Sequence, residues 1–258
     1  MQGVLDLAYI TVFFLVLIRM ASFVASCALF SLPGIPALVK AGLSFILAAL
    51  VTPLVMPAVT ELPQGVWEFA LAVLGEAGVG LGLGLVCTLV FNAARMAGQL
   101  LDFQIGFAMS AVMDPLSGSM NTLLSRFFFF LTLVLFMNMD GHHALIRALV
   151  NSYRLVPLTS AGINGEITLL MIRIFTDTFA LAVQICAPVV AVLVITDLAM
   201  GLIGKTAPQL NIFQLGFPLK IAAGLSVLAV LLPALTSLFK YMLETLQKDL
   251  LLFMKGLA

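Results

Sequence analysis

Charged residues stand inside or beside long apolar runs of this chain: Glu76, Arg95, Asp102, Arg126, Arg173, Asp177 and Asp197. Charges at membrane depth are costly and ordinarily face a bundle interior, a water-filled cavity or a partner subunit. Arg173 and Asp177 are one helical turn apart and can pair on a single face. Arg95 and Asp102 are two turns apart, share a face, and can bridge neighbouring helices. The chemistry on offer is ion pairing or a proton relay. The acidic groups are too scattered to draw a relay, so pairing is the reading.

Other reaction chemistry finds less support. His142 and His143 are adjacent, so on a helix they point about 100° apart and cannot grip one metal as an i, i+4 pair can. Cys27, Cys87 and Cys186 lie alone in apolar runs without C-x-x-C spacing, and read as small core residues. Gly75, Gly78, Gly80, Gly82 and Gly84 superficially suggest a phosphate loop, but no strand precedes them and no Lys-Ser/Thr follows. Gly78/Gly82 and Gly80/Gly84 are instead small-x-x-x-small pairs that let helix backbones approach, with Glu76 at the start of that face held against another helix. No Ser-His-Asp, H-E-x-x-H or Walker pattern is present. The chain is therefore not expected to be an enzyme, and no cofactor or metal is expected.

Two connecting stretches are more specific. Gly106 to Met120 joins two apolar segments yet is itself apolar, rich in Met and small residues, and broken by Asp114-Pro115. Deformable Met and Phe side chains fill irregular gaps. Such a loop either lines or obstructs a passage between helices, since hydrophobic constrictions gate by dewetting, or is a simple re-entrant or buried loop. Gly204 to Lys220 gathers two lysines, two glutamines, an asparagine and two prolines where two helices must meet. Pro208 and Pro218 each remove a backbone donor, so this stretch is not expected to be one continuous helix.

These residues must be positioned by helices. Of 258 residues, 62% are hydrophobic and only 9% charged, against about 25% charged in a soluble domain. Mean hydropathy is +1.20, which places the chain in or against a membrane. Twelve basic and twelve acidic residues cancel, leaving no polybasic field for nucleic acid. Six apolar segments are expected: about 4–30, 37–56, one from an acidic linker carrying Trp67 to about 105, 123–139, 167–203 and 219–254. A semi-polar connection at 140–165 holds an expected amphipathic helix, 142–153. The runs are too long and lack the alternation of strands, so the fold class is all-α. The first segment has no basic n-region or A-x-A end and reads as a retained span. The third would reach roughly 60 Å as a helix at 1.5 Å per residue, about twice a ~30 Å hydrocarbon core.

Orientation cannot be assigned from charge. With six spans, and leaving aside Arg19 and Arg173 inside them, Lys40, Arg95, Arg126, Lys205 and Lys220 fall on one side, and Arg147, Arg154, Lys240, Lys248 and Lys255 on the other. The positive-inside bias needs an asymmetry that is absent.

Ala207-Pro208-Gln209-Leu210-Asn211-Ile212-Phe213, followed by Gly216-Phe217-Pro218-Leu219-Lys220-Ile221 and Gly224-Leu225, resembles the signature of the FliR family of flagellar biosynthesis proteins. Supporting matches fall in the family's order: Arg19, Pro33, Pro36 and Lys40; Glu76 with the glycine run; Ala97-Gly98; Asp102-Phe103-Gln104-Ile105-Gly106; Asp114-Pro115; Gly141-His142-His143; Ser152-Tyr153 with Pro157. Injectisome homologues share the core of Ala207, Pro208, Gln209, Asn211 and Phe213, whereas Gly216 to Ile221 with Gly224-Leu225 favours the flagellar branch. The resemblance implies long kinked helical hairpins in a single export-gate domain, 1–258, with N-terminal helices and plug loop in 1–140 and a C-terminal hairpin region in 141–258. It implies association with FliP, FliQ and FlhB in a closed helical channel for unfolded flagellar substrates, in the bacterial inner membrane at the flagellar basal body, partly above the bilayer plane. On this resemblance the plug comprises Gly106, Phe107, Met109, Met113, Asp114, Pro115 and Met120. Glu76, Arg95, Asp102, Pro208, Gln209, Asn211, Phe213 and Lys220 become intersubunit contacts. The competing classes are an injectisome homologue, a purely structural scaffold, and a small-solute secondary transporter. The last predicts internal repeats that the sequence does not display.

Overall fold

A computed structural model of the chain describes residues 2–32, 34–59, 62–63, 65–107, 122–160, 165–207, 209 and 211–257. Among these residues run seven α-helices and no strand: α1 Gln2–Ser26, α2 Ala37–Val55, α3 Val66–Ile105, α4 Leu123–Asn138, α5 Gly141–Leu155, α6 Gly165–Thr206 and α7 Ile212–Leu257. The class follows from the solvent. In hydrocarbon a backbone must satisfy its own N–H and C=O groups, and a helix does so within one segment. Five of the helices are long and apolar enough to cross a membrane, or six spans if α4 and α5 count together as one broken span.

Most boundaries fall at breakers. Pro36, extended at ψ 145°, starts α2, and its carbonyl accepts the Val39 N–H at 3.0 Å. Pro218 is different. Expected to break the chain along with Pro208, it lies inside α7, which starts at Ile212 rather than near Leu219. The interruption between α6 and α7 is confined to residues 207–211, with Pro208 itself outside the described residues. Pro188 and Pro233 are likewise interior. Each removes one helical hydrogen bond, a loss that long apolar helices in hydrocarbon tolerate once neighbours re-satisfy the freed carbonyl.

The chain forms two compact units from alternating stretches. The first contains Met1–Val90, Asp140–Phe175 and Glu244–Ala258. In it α1 buries Val12, Leu15, Val16, Arg19, Met20, Phe23 and Val24, a stripe at helical spacing, and Cys27 just past its end is buried too. Gly80 and Gly84 of α3 lie against that stripe: a Cβ on Gly80 would overlap the Arg19 carbonyl and Ser22 Oγ, and one on Gly84 would overlap Ser26 Oγ. Gly82 faces Phe253 of α7, whereas Gly78 has nothing within 4 Å. The close seam to α1 is therefore Gly80/Gly84; of the expected Gly78/Gly82 pair, only Gly82 is closely packed, against the Phe253 ring of α7.

The second unit contains Phe91–Met139 and Thr176–Leu243. The run Phe127 to Phe130 is divided by the helical period: Phe128 and Phe129 are buried, Phe127 and Phe130 exposed. Phe129 meets Phe91 edge-on at 6.1 Å between ring centroids, and Phe128 meets Phe239 at 5.5 Å. Such geometry suits the aromatic quadrupole. Large apolar side chains also point outward, including Leu38 at 83% and Val230 at 79% exposure. Faces of this kind require lipid or protein cover.

Candidate functional site

The buried charged residues among those described stand in two places, one in each unit: Arg19 with Glu76, and Asp102. In the first, Arg19 is wholly buried on α1 and Glu76, on α3, is 1% exposed. Arg19 Nε donates to Glu76 Oε2 at 2.5 Å. Its Nη1 donates to Ser152 Oγ at 3.2 Å and to the Val156 carbonyl at 3.1 Å, and Nη2 donates to that carbonyl at 3.2 Å. The guanidinium stacks 4.2 Å from the Tyr153 ring centroid, while Tyr153 Oη donates to the Val16 carbonyl. The second Glu76 oxygen accepts the Thr159 N–H at 3.2 Å. Thr159 stands at φ 69°, a left-handed conformation that is unusual for a β-branched residue. The carboxylate anchors that turn. A cavity of about 470 Å³ opens beside it, lined in part by Glu68, Gly75, Glu76 and Thr159. Because both Glu76 oxygens already accept charged or backbone donors, the cluster is a complete structural knot that needs no ligand.

In the second unit, the last turns of α3 carry a denser set of contacts. Asp102, wholly buried, accepts the Leu124 N–H at 3.0 Å and the Ser125 N–H at 3.1 Å through Oδ2. These are orphan donors of the first turn of α4, which its own N-cap, Thr122, leaves without a side-chain bond. A carboxylate is well suited there, because the helix N-terminus carries partial positive charge. Gly98 makes this approach possible: a Cβ would come within 2.5 Å of Ser125 Cα and N. One turn of chain later, Gly106 takes φ 104°, a conformation open to glycine, and turns the chain away from α3. A Cβ there would also meet the Phe217 ring at 2.9 Å. Gln104 Nε2 donates to Asp197 Oδ2 at 3.3 Å, and Lys220 Nζ lies 2.5 Å from Asp197 Oδ1. This triad ties the end of α3 to α6 and α7. The chemistry here is anchoring, because every named carboxylate already accepts donors from its own chain.

Of the expected site residues, Glu76, Asp102 and Lys220 have these in-chain partners, and Arg95 stacks over Phe129 of α4 at 3.9 Å. Arg95 and Asp102 thus both reach α4. Gly106 and Phe107 form the turn that ends α3. Met109, Met113, Asp114, Pro115, Met120 and Pro208 lie outside the described residues. Phe213 belongs to the first turn of α7, and Gln209 is exposed in the turn before it. Asn211 Oδ1 accepts the Gln214 N–H at 3.3 Å and so caps α7. Sequence reasoning overlooked Arg19 as the partner of Glu76 and Asp197 as the partner of Lys220. A charged residue within reach of another across distant helices leaves no spacing signal.

Near His142 and His143 it also overlooked Asp140, at φ 54°. Potential ligand atoms of all three lie within 4.8 Å of one another, closer together than the two histidines alone suggested. The trio opens α5, where the helix dipole disfavours a cation.

Asn211→Ala is expected to fray the start of α7 at a cost of about 0.5–2 kcal/mol, read as faster amide exchange at Gln214. If exchange is unchanged while assembly fails, Asn211 acts as a contact and not as a cap.

The chain matches the family described as bacterial export proteins, family 1, over residues 10–246. It is similar to the flagellar biosynthetic protein FliR of Bacillus subtilis (strain 168), 32% identical over 260 residues that cover 98% of each chain. FliR of Pectobacterium carotovorum subsp. carotovorum is 30% identical over 227 residues, 87% of this chain and 85% of that one. FliR of Escherichia coli (strain K12) is 28% identical over 227 residues, 88% of this chain and 86% of that one.

Proposed function

From the premise that this chain belongs to the FliR family of bacterial export proteins, we propose that it is a subunit of the flagellar protein export gate in the bacterial inner membrane. Together with FliP and FliQ, and with FlhB as a further partner, it encloses a passage for unfolded flagellar substrates. The segment from Gly106 to Met120 is the plug of that passage. Energy is supplied elsewhere, and the subunit's work is to shape and seal.

One observation carries the plug reading. The carboxylate of Asp102, just before the segment, holds the backbone of Leu124 and Ser125, just after it. Both stems of residues 106–122 are therefore pinned at one place. Pinning both ends at one buried anchor fixes where the segment begins and ends, and its apolar Met-rich composition suits a dewetted seal. Gln104, Asp197 and Lys220 brace the same stem. The exposed apolar faces of the long helices provide the area a multi-subunit assembly has to cover. The named relatives above are flagellar proteins, which favours flagellar over injectisome export.

Deleting residues 109–115 is expected to leave the assembled complex intact and to make membranes that contain it leak ions or small solutes. Conductance of the purified complex in planar bilayers measures this. An intact complex that stays as tight as the unmodified one would remove the plug from the proposal.

A further inference from the structure

Cys27 and Cys87, read from spacing as isolated core residues, are neighbours. Their sulfurs are 3.2 Å apart although the residues are 60 positions apart in sequence, both side chains are wholly buried, and both thiols are free. The adjoining backbone fixes this juxtaposition independently of the sulfurs. Thr88 Oγ1 donates to the Ser26 carbonyl at 2.6 Å and accepts the Ala28 N–H at 2.8 Å. This clip straddles Cys27 on one element and adjoins Cys87 on the other. One turn away, Gly84 holds the α3 backbone against Phe23 and Ser26. The register that brings the sulfurs together is therefore set by a hydroxyl clip and a glycine contact.

We propose that Cys27 and Cys87 form a dithiol site that a hydroperoxide closes to a disulfide, stapling the end of α1 to α3. One thiol, losing its proton, attacks a peroxide oxygen. The O–O bond breaks, giving a sulfenic acid and one water. The second thiol then attacks the sulfenic sulfur, the S–S bond forms, and a second water leaves. In sum, two thiols and one hydrogen peroxide give one disulfide and two waters: each sulfur loses one electron and the peroxide gains two. Closing from 3.2 Å to the ~2.05 Å of a disulfide requires side-chain movement of about 1 Å, which leaves the Thr88 clip in place. The oxidant the proposal requires is a small neutral one, since both sulfurs are wholly buried. The staple fastens a seam that is already packed, so the folded chain keeps its shape under oxidation and resists opening there. Cys186, whose thiol donates to the Val183 carbonyl at 3.3 Å, serves as an internal comparison.

The test treats the full-length protein, in its assembled membrane complex, with hydrogen peroxide. The sample is then denatured, alkylated with N-ethylmaleimide, digested and analysed by mass spectrometry. A Cys27–Cys87 linked peptide pair is expected, lighter by two hydrogens and released by dithiothreitol, while Cys186 remains alkylated. The link disappears in Cys27→Ser and in Cys87→Ser. The treated wild type also withstands a higher temperature before unfolding than the untreated protein, a gain that Cys87→Ser lacks. The proposal is overturned if Cys27 and Cys87 stay fully alkylatable after peroxide, or if they proceed separately to sulfinic acids. The wild-type peptide result stands without the variants, should a serine at either position hinder folding.

Discussion

Arg19→Met is expected to destabilise the folded chain by about 3–5 kcal/mol, the usual cost of breaking a buried pair from one side. The substitution keeps a long apolar stem but removes the guanidinium that lies against Glu76, Ser152, Tyr153 and the Val156 carbonyl. The Glu76 carboxyl, 1% exposed, is then left with only the Thr159 N–H as a named partner. The consequence reaches further than one pair. The knot holds α1 and α3 to the end of α5 and to the left-handed turn at Thr159, so its loss loosens several elements at once. Arg19→Lys is expected to rescue only part, because an ammonium cannot reproduce the planar fork that serves a carboxylate, a hydroxyl and a carbonyl together.

The measurement is thermal unfolding of the purified protein in detergent, together with its steady-state amount in membranes. Arg19→Met/Glu76→Leu separates charge from packing. Replacing both members with apolar groups removes the desolvated charge, and such replacements are often neutral or better. The double variant is therefore expected to be more stable than Arg19→Met alone, with the non-additivity reporting the coupling. A double variant as unstable as the sum of both singles would show that the two residues act separately, against the knot described above.

Much of the architecture was legible because membrane helices announce themselves. An apolar run long enough to span must be helical, and α2, α4 and α5 fall within a few residues of the runs that predict them. The errors are local and physical. Pro218 looked like a breaker because proline costs a helix one hydrogen bond, yet α7 absorbs that loss over a length of 46 residues. Gly78 and Gly82 have the spacing of a seam, but only their neighbours Gly80 and Gly84 point at α1, and spacing alone does not say which face meets which helix. The candidate site was half legible. Asp102 and Glu76 were conspicuous as charges in apolar company, but their partners were not. Asp102 is held by backbone N–H groups, which carry no residue signature. Glu76 meets an arginine 57 positions earlier and a segment read only as a semi-polar connection. Cys27 and Cys87 were passed over because a two-residue spacing was sought, whereas the helices themselves supply the proximity.

If residues 106–120 form the proposed plug, Asp102→Ala is expected to make the assembled complex leak, which distinguishes an anchored plug from a passive connection. The carboxylate is wholly buried and holds two backbone donors of α4. Removing it leaves those N–H groups without a partner in an apolar setting, at about 1–3 kcal/mol each. That loss falls on the stem of the 106–122 segment and spares the knot at Arg19. Stability should therefore drop by about 2–6 kcal/mol over the two donors, comparable to Arg19→Met, while leak through the assembled complex should rise toward that of the 109–115 deletion. Asp102→Asn keeps one acceptor oxygen but turns an amide donor toward the same N–H groups, and so should leak to an intermediate degree. Gly98→Ala reaches the same stem by another route, since its Cβ meets the Ser125 backbone and must push the start of α4 away. It should leak although Asp102 is intact. Conductance of the purified complexes decides the matter, with subunit content checked in each sample. If Asp102→Ala and Gly98→Ala assemble and seal as tightly as the wild type while the 109–115 deletion leaks, the loop seals without its anchor. The carboxylate then serves only as a cap for α4.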